Sequence, residues 1–227
     1  MRIRTITVAW MLGAAVTTFG QDGTMLKQKL AQMGAATKSN ASQLSGYQWQ
    51  ESVSVAISGH QAPPRQSLCR YAADGTILKT PIGEPADDPA KHGGPLRRHM
   101  IEEKEEQVAD LGKTVGQYLP PSPGLLLGTL ARGNVALVPD QGGPAVVLSD
   151  YAKSGDKMKL ILDPASMQAI RIDISTYLDK DRSPVIVQVQ FARLADNTLY
   201  PAQSTISAPE KKILITTANT SYVRVAP

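Results

Sequence analysis

Residues 169–191 read AIRIDISTYLDKDRSPVIVQVQF, and this stretch decides the fold class of the chain. Two runs of alternating apolar and polar residues flank a polar turn at Asp179-Lys180-Asp181. The apolar positions of the two runs are Ile170, Ile172, Ile174, Val185, Val187, Val189 and Phe191. Alternation with a period of two is typical of strands in a sheet with one buried face. The stretch therefore predicts two antiparallel strands joined by a short turn.

The same pattern extends through the C-terminal half of the chain, from Gly133 onward. Turn-forming glycine, proline, aspartate and asparagine residues separate the apolar runs. The predicted strands are Asn134–Val138, Ala145–Ala152, Lys157–Asp163, Ala169–Tyr177, Val185–Leu194, Ala202–Ser207 and Lys211–Ala218. Consecutive strands with such short connections favour an antiparallel meander.

The N-terminal half combines strands with helices. Alternation predicts a strand over Tyr47–Ile57, and Asp74-Gly75 predicts a hairpin between Leu68–Ala72 and Thr76–Thr80. Apolar residues spaced three or four positions apart predict helices. The predicted helices cover Gly23–Leu44 with a break near Gly34, Leu96–Leu119, and the leucine-rich stretch around Leu125–Leu130. The proline-rich stretch Pro81–Pro95 predicts a surface loop.

These elements together predict an α+β fold. A sheet of about ten strands curls, and its apolar face needs to be covered. We therefore expect a curved antiparallel sheet that forms an incomplete β-barrel, with two or three helices covering its concave face.

The first twenty residues have the features of an export signal. Arg2 and Arg4 precede the charge-free stretch Thr5–Gly20, which is too short to cross a bilayer comfortably as a helix. We expect a cleaved signal peptide over residues 1–20 and one domain over residues 21–227. The expected location is the periplasm, with the extracellular space as an alternative. A buried N-terminal helix is the other interpretation of this segment.

Charge and composition argue against several classes of protein and site. The net charge of the 227-residue chain is +4, and it falls to +2 once Arg2 and Arg4 are removed. No long Lys/Arg run is present, so the sequence does not predict nucleic-acid binding. The single cysteine excludes a disulfide framework and an all-cysteine metal site. We expect Cys69 to pack in the core as a small apolar residue.

No pattern of catalytic residues stands out. The sequence has no Gly-x-Ser-x-Gly elbow, no phosphate-binding loop and no dinucleotide-binding glycine motif. His99 and Glu103 could place two metal ligands on one helix face, but two ligands do not make a site. The glutamates at 102, 103, 105 and 106 crowd onto a solvated face rather than facing one another across a cleft. We expect no enzyme, no metal and no cofactor; an esterase-like hydrolase with His99 as its base is the catalytic alternative.

The chain resembles a family of exported bacterial proteins. The export signal, the helix leading into Tyr47-Gln48-Trp49, and the segments Leu162–Ile172 and Val185–Leu194 carry the resemblance. They are similar to the periplasmic lipoprotein-carrier family and to the wider group of outer-membrane lipoprotein-sorting proteins. The resemblance implies a half-barrel with a helical lid, a cavity for acyl chains, and carriage of a ligand without catalysis.

The apolar face of the predicted sheet is the strongest functional feature. The side chains expected to line a cavity beneath the helices are Val53, Val55, Leu126, Leu130, Leu160, Ile172, Val187 and Val189. Burial of methylene groups at about 0.8 kcal/mol each would supply affinity for an acyl chain. The predicted function is a monomeric carrier of a lipid-like ligand, in lipoprotein or outer-membrane lipid trafficking. The alternative is a non-catalytic envelope protein with a solid core, which binds a protein partner through a sheet edge or the acidic helix.

Overall fold

The computed structural model describes residues 23–83 and 95–225. The predicted export signal and most of the proline-rich loop lie outside the described residues. Within these ranges the chain forms three α-helices. They are α1 (Gly23–Leu44), α2 (Pro95–Gly116) and α3 (Pro123–Ala131).

Eleven strands of the described residues form one antiparallel sheet. They are β1 (Tyr47–Ile57), β2 (His60–Gln61), β3 (Arg65–Tyr71), β4 (Ile77–Ile82), β5 (Val135–Asp140), β6 (Gly143–Ser149), β7 (Lys157–Leu162), β8 (Ala169–Tyr177), β9 (Pro184–Arg193), β10 (Leu199–Ala208) and β11 (Ile213–Arg224). Their order is β4-β3-β1-β11-β10-β9-β8-β7-β6-β5, and β2 pairs with β1. Strands β4 and β5 are the two edges, so the sheet is not closed into a barrel. The predicted α+β fold with a large open antiparallel sheet is confirmed.

Strand β9 shows how the sequence gives the sheet one buried face. Val185, Val187 and Val189 are buried, and the residues between them are exposed. Ile174 and Ile172 of β8 lie directly opposite Val187 and Val189 and are also buried. Buried side chains therefore line up across neighbouring strands, as the period-two alternation predicts.

The helices cover this apolar face. Met33 of α1 and Leu111 and Val115 of α2 are buried in the same core as the sheet residues. Leu126 and Leu130 of α3 pack against that core and are half-buried. Each helix thus contributes its apolar stripe to one shared core, which is how a one-sided sheet is completed.

The helix boundaries differ from the prediction at two places. Helix α1 runs unbroken through Gly34, so the predicted break is wrong. Alanines at 31, 35 and 36 surround this glycine, and their high helix propensity offsets its cost of about 1 kcal/mol. Helix α2 ends at Gly116 rather than Leu119, before Pro120 and Pro121 are reached.

The strand boundaries differ mainly where the backbone turns. Strand β6 ends at Ser149 rather than Ala152, because Asp150 has a positive φ of 51° and begins a turn. Strand β11 continues to Arg224 rather than Ala218. Ser221, with a positive φ of 55°, lies at a shift of register that lets pairing with β1 resume.

Cys69 lies on β3, opposite Trp49 of β1, and its side chain is fully buried. Burial is the main cause that raises the pKa of this thiol above its ordinary value. The predicted packing of Cys69 as a core residue is confirmed.

Candidate ligand cavity

A cavity of about 740 Å³ lies between α1, α3 and the apolar face of the sheet. Its lining comes from α1, from the linker between α2 and α3 (residues 117–122), from the first turns of α3, from strands β7 to β10 and from the turn before β8. Pockets that enclose small organic ligands typically measure roughly 300–1,000 Å³. The cavity is therefore large enough for a ligand of this class.

Small residues on one face of α1 form the first wall. Ala31, Gly34, Ala35 and Ala41 line the cavity, together with the longer side chain of Lys38. Residues three or four positions apart lie on the same face of a helix, so these five form one stripe. A Cβ atom added to Gly34 would meet no other atom within 4 Å. The alanines and the glycine leave unfilled the space that larger side chains would occupy.

Helix α1 is fixed to the sheet by two reciprocal hydrogen bonds. The Asn40 side-chain Nδ2 donates to the carbonyl oxygen of Leu199 at 2.7 Å, and the Leu199 amide donates to Asn40 Oδ1 at 2.7 Å. An asparagine can satisfy both groups of one backbone residue because it carries a donor and an acceptor. The pair holds the C-terminal half of α1 against the start of β10.

The sheet supplies the second wall. Leu160 of β7 and Ile172 of β8 are opposite one another in the sheet and only 2% exposed, and both line the cavity. Phe191 of β9 and Leu199 of β10 extend this apolar surface toward α1. The floor of the cavity is thus part of the hydrophobic core.

The third wall is formed by α3 and the linker that precedes it. Pro120, Pro121, Pro123, Leu126 and Leu127 line this side. Leu127 is 58% exposed, so it lies at the mouth rather than in the interior. Prolines fix the backbone at φ near −65°, which makes this wall stiff.

A buried hydrogen-bond network holds the start of this linker. The Tyr118 hydroxyl donates to Oδ2 of Asp156 at 2.6 Å and lies 2.7 Å from Oγ1 of Thr176. The Asp156 carboxylate also accepts the backbone amides of residues 151–153, at 2.6 to 3.0 Å. Burial first, and then the bond to Asp156, raise the pKa of Tyr118 well above its ordinary value. The tyrosine therefore remains a neutral hydrogen-bond donor.

The end of the linker is held by a second tyrosine. The Ser122 amide donates to the Tyr151 hydroxyl oxygen at 2.8 Å, and the Tyr151 ring lies 5.9 Å from that of Tyr118. Both ends of the linker are therefore anchored to the turn between β6 and β7. This anchoring sets where α3 lies over the sheet.

The structure brings together three of the eight side chains predicted from the sequence to line a cavity. Leu126, Leu160 and Ile172 line it. The other five are Val53, Val55, Leu130, Val187 and Val189, which belong to or pack against the same core without lining this cavity. Val187 and Val189 are buried in the core that also contains Leu111 and Val115 of α2.

The α1 wall was missed by the sequence analysis. Ala31, Gly34, Ala35 and Ala41 are small, and apolar periodicity is normally judged on large side chains. The signal that could have found them is a stripe of small residues at helical spacing, next to an apolar sheet.

Solved structures resemble the chain. A DUF1329 family protein from Desulfovibrio piger aligns with a TM-score of 0.48 and 11% identity, over 87% of this chain and 92% of its own. A LolA superfamily protein from Nitrosomonas europaea aligns with a TM-score of 0.37 and 9% identity, over 84% and 93%. An outer membrane lipoprotein-sorting protein domain from Vibrio parahaemolyticus aligns with a TM-score of 0.41 and 11% identity, over 87% and 92%.

Two of these neighbours carry names of the group that the sequence resembles. No protein-family model and no curated protein matches the sequence.

The acidic side of α2 forms a separate polar groove. Glu103, Glu106 and Asp110 line a groove of about 460 Å³, together with Lys180 and Lys211 from the other side.

Among the described residues, no group of three His, Cys, Asp or Glu side chains could hold a metal ion. No helix within residues 23–83 and 95–225 is long and apolar enough to cross a membrane.

Proposed function

We propose that the chain is an exported periplasmic protein that binds and carries a lipid-like apolar ligand, in lipoprotein or outer-membrane lipid trafficking. The observation that supports this function best is the cavity of about 740 Å³ between α1, α3 and the sheet. Carriage of such a ligand needs no covalent chemistry. Each methylene group that moves from water into an apolar cavity contributes about 0.8 kcal/mol.

The cavity also favours this function over a protein with a solid core. Interiors that serve stability alone pack closely, with few voids larger than a water molecule, and an unfilled void costs stability. Gly34, Ala31 and Ala35 border this cavity on its exposed side, and a larger side chain at Gly34 would meet no obstacle. A concave apolar surface that small residues leave unfilled is typical of a binding site.

We assign contact with the ligand to Leu126, Leu160 and Ile172, together with the small residues of α1. The remaining side chains of the predicted set belong to the core beneath this surface or pack against it. They are Val53, Val55, Leu130, Val187 and Val189. The proposal keeps the monomeric state that is expected from the sequence.

The test is the binding of N-phenyl-1-naphthylamine, a neutral apolar dye that fluoresces when it leaves water. The protein is exported and purified from the periplasm as wild type, Gly34→Leu and Gly112→Leu. Gly112 lies on α2, does not line the cavity, and also has no atom within 4 Å of an added Cβ. Both substitutions should stabilise a helix by about 0.5–1 kcal/mol, because glycine is a poor helix former.

We expect wild type and Gly112→Leu to bind the dye alike. Gly34→Leu should bind it at least about tenfold more weakly, which is about 1.4 kcal/mol. Opposite effects of Gly34→Leu on stability and on binding would locate the site at the α1 stripe. A wild-type protein that does not bind the dye, or a Gly34→Leu variant that binds it unchanged, would overturn the proposal.

A further inference from the structure

The lining of the cavity is asymmetric in charge. Among the described residues that line it, Lys38 is the one with a charged side chain. Lys38 is exposed, whereas Leu160 and Ile172 on the floor are almost fully buried. The charge therefore lies at the mouth, and the apolar surface lies inside.

The position of Lys38 on α1 allows its ammonium group to lie at the mouth of the cavity. It belongs to the same helix face as Ala31, Gly34, Ala35 and Ala41. A lysine among small residues can lay its methylene stem along an apolar surface and keep its ammonium group in water. The ammonium group then borders both the solvent and the cavity.

Two other polar side chains of the lining, those of Asn40 and Gln168, already have partners. The amide of Asn40 is used by both backbone groups of Leu199. Oε1 of Gln168 accepts a hydrogen bond from Nη1 of Arg193 at 3.1 Å. No carboxylate within residues 23–83 and 95–225 forms an ion pair with Lys38.

We infer that the ligand is an amphiphile with an anionic headgroup, and that Lys38 binds this headgroup at the mouth while the chain enters the cavity. This inference rests on the proposed function and narrows it to one class of ligand. The ammonium group offers three hydrogen-bond donors and a full positive charge. A carboxylate and a phosphate monoester share the chemistry it recognises.

The test compares ligands that share one chain length and differ in the headgroup. Decanoate, decyl phosphate and neutral 1-decanol each compete with the apolar dye at neutral pH and low salt. The proteins are wild type, Lys38→Met, which keeps a long apolar stem, and Lys38→Arg, which keeps the charge. Lys113→Met is the matched control, because Lys113 is exposed on α2 and does not line the cavity.

We expect wild type to prefer at least one of the two anions to decanol by about fivefold, since an exposed ion pair contributes up to about 1 kcal/mol. The anion with the larger preference identifies the headgroup chemistry. Lys38→Met should lose the preference and bind decanol unchanged. Lys38→Arg and Lys113→Met should keep the preference, and added salt should reduce it.

Two results separate the inference from the proposed function. If decanol binds as tightly as both anions, or if Lys38→Met keeps the preference, the inference is overturned and the apolar cavity site stands. If neither the dye nor any of the three ligands binds, the proposed function and the inference fall together.

Discussion

The hydroxyl of Tyr47 donates a hydrogen bond of 2.6 Å to Oδ2 of Asp196, and this bond joins the first strand of the sheet to the turn between β9 and β10. Oδ1 of the same carboxylate accepts the Thr198 amide at 3.0 Å, and Arg224 lies at 3.4 Å. The bond from Tyr47 is the largest cause that lowers the pKa of Asp196 from 3.8 to about 2.

Removal of the Tyr47 hydroxyl should move the titration of Asp196. In the Tyr47→Phe variant the pKa of Asp196 should rise from about 2 toward 3.8, because the main donor to the carboxylate is lost. Arg224→Met should raise it less, because the coulombic effect of Arg224 is a smaller cause. Carbon-13 NMR titration of the carboxyl group measures both shifts. A larger effect of Arg224→Met would contradict the conclusion that the hydrogen bond from Tyr47 lowers the pKa of Asp196 most.

The same carboxylate should make stability depend on acid in one direction. The pKa of Asp196 is lower in the folded chain than its ordinary value of 3.8, so its contribution to stability is full above that value. The contribution is lost as the pH falls toward 2. The difference in urea midpoint between wild type and Asp196→Asn should therefore be constant from pH 6 to pH 5 and shrink below pH 4. A difference that grows in acid would exclude this explanation.

The linker that carries α3 should depend on the Tyr118 hydroxyl. Tyr118→Phe removes the donor to Asp156 in a fully buried network and should lower the free energy of unfolding by about 1–3 kcal/mol. The control is Tyr177→Phe, whose hydroxyl bonds the carbonyl of Ser154 in an exposed position and whose loss should cost about 0.5 kcal/mol. Urea denaturation measures both variants. Equal costs would show that the buried network adds nothing beyond an ordinary surface bond.

The tight turn between β5 and β6 should tolerate no side chain at Gly143. This residue has a φ of 135°, and an added Cβ would overlap the carbonyl oxygen of Leu162. Gly143→Ala should therefore cost roughly 3 kcal/mol or more, from backbone strain together with steric overlap. Gly155 has a φ of 84° and open space around it, so Gly155→Ala isolates the strain and should cost about 1–2 kcal/mol. Thermal unfolding that ranks the two variants in the reverse order would refute this explanation.

Much of the fold could be predicted because its strands carry local signals. The bounds of β1 and β8 match their predictions, since each strand has regular alternation between clear turns. The end of strand β11 was predicted six residues too early, because Thr216 to Asn219 are mostly polar and Ser221 interrupts the pattern. Pairing with β1 extends that strand, and a distant partner leaves no mark in the local sequence.

The site was harder to predict because a cavity is defined by what does not fill it. The apolar face was correctly located, yet Val187 and Val189 lie in the closed core, whereas Leu160 and Ile172 border open space. The alternation of these residues is the same in both cases. What distinguishes them is the size of the side chains on the helix above, and the path of that helix is set by tertiary contacts such as that of Asn40.

The stripe of alanine and glycine on α1 allows the shape of the cavity to change while the fold stays the same. Ala31, Gly34 and Ala35 are exposed on a helix, and the sheet beneath them keeps its own strand pairing and core. Single substitutions on this stripe can shorten, divide or widen the compartment while leaving every β-ladder intact. Under the proposed function, changes within this short stretch of α1 would therefore be enough to alter which ligand the protein carries.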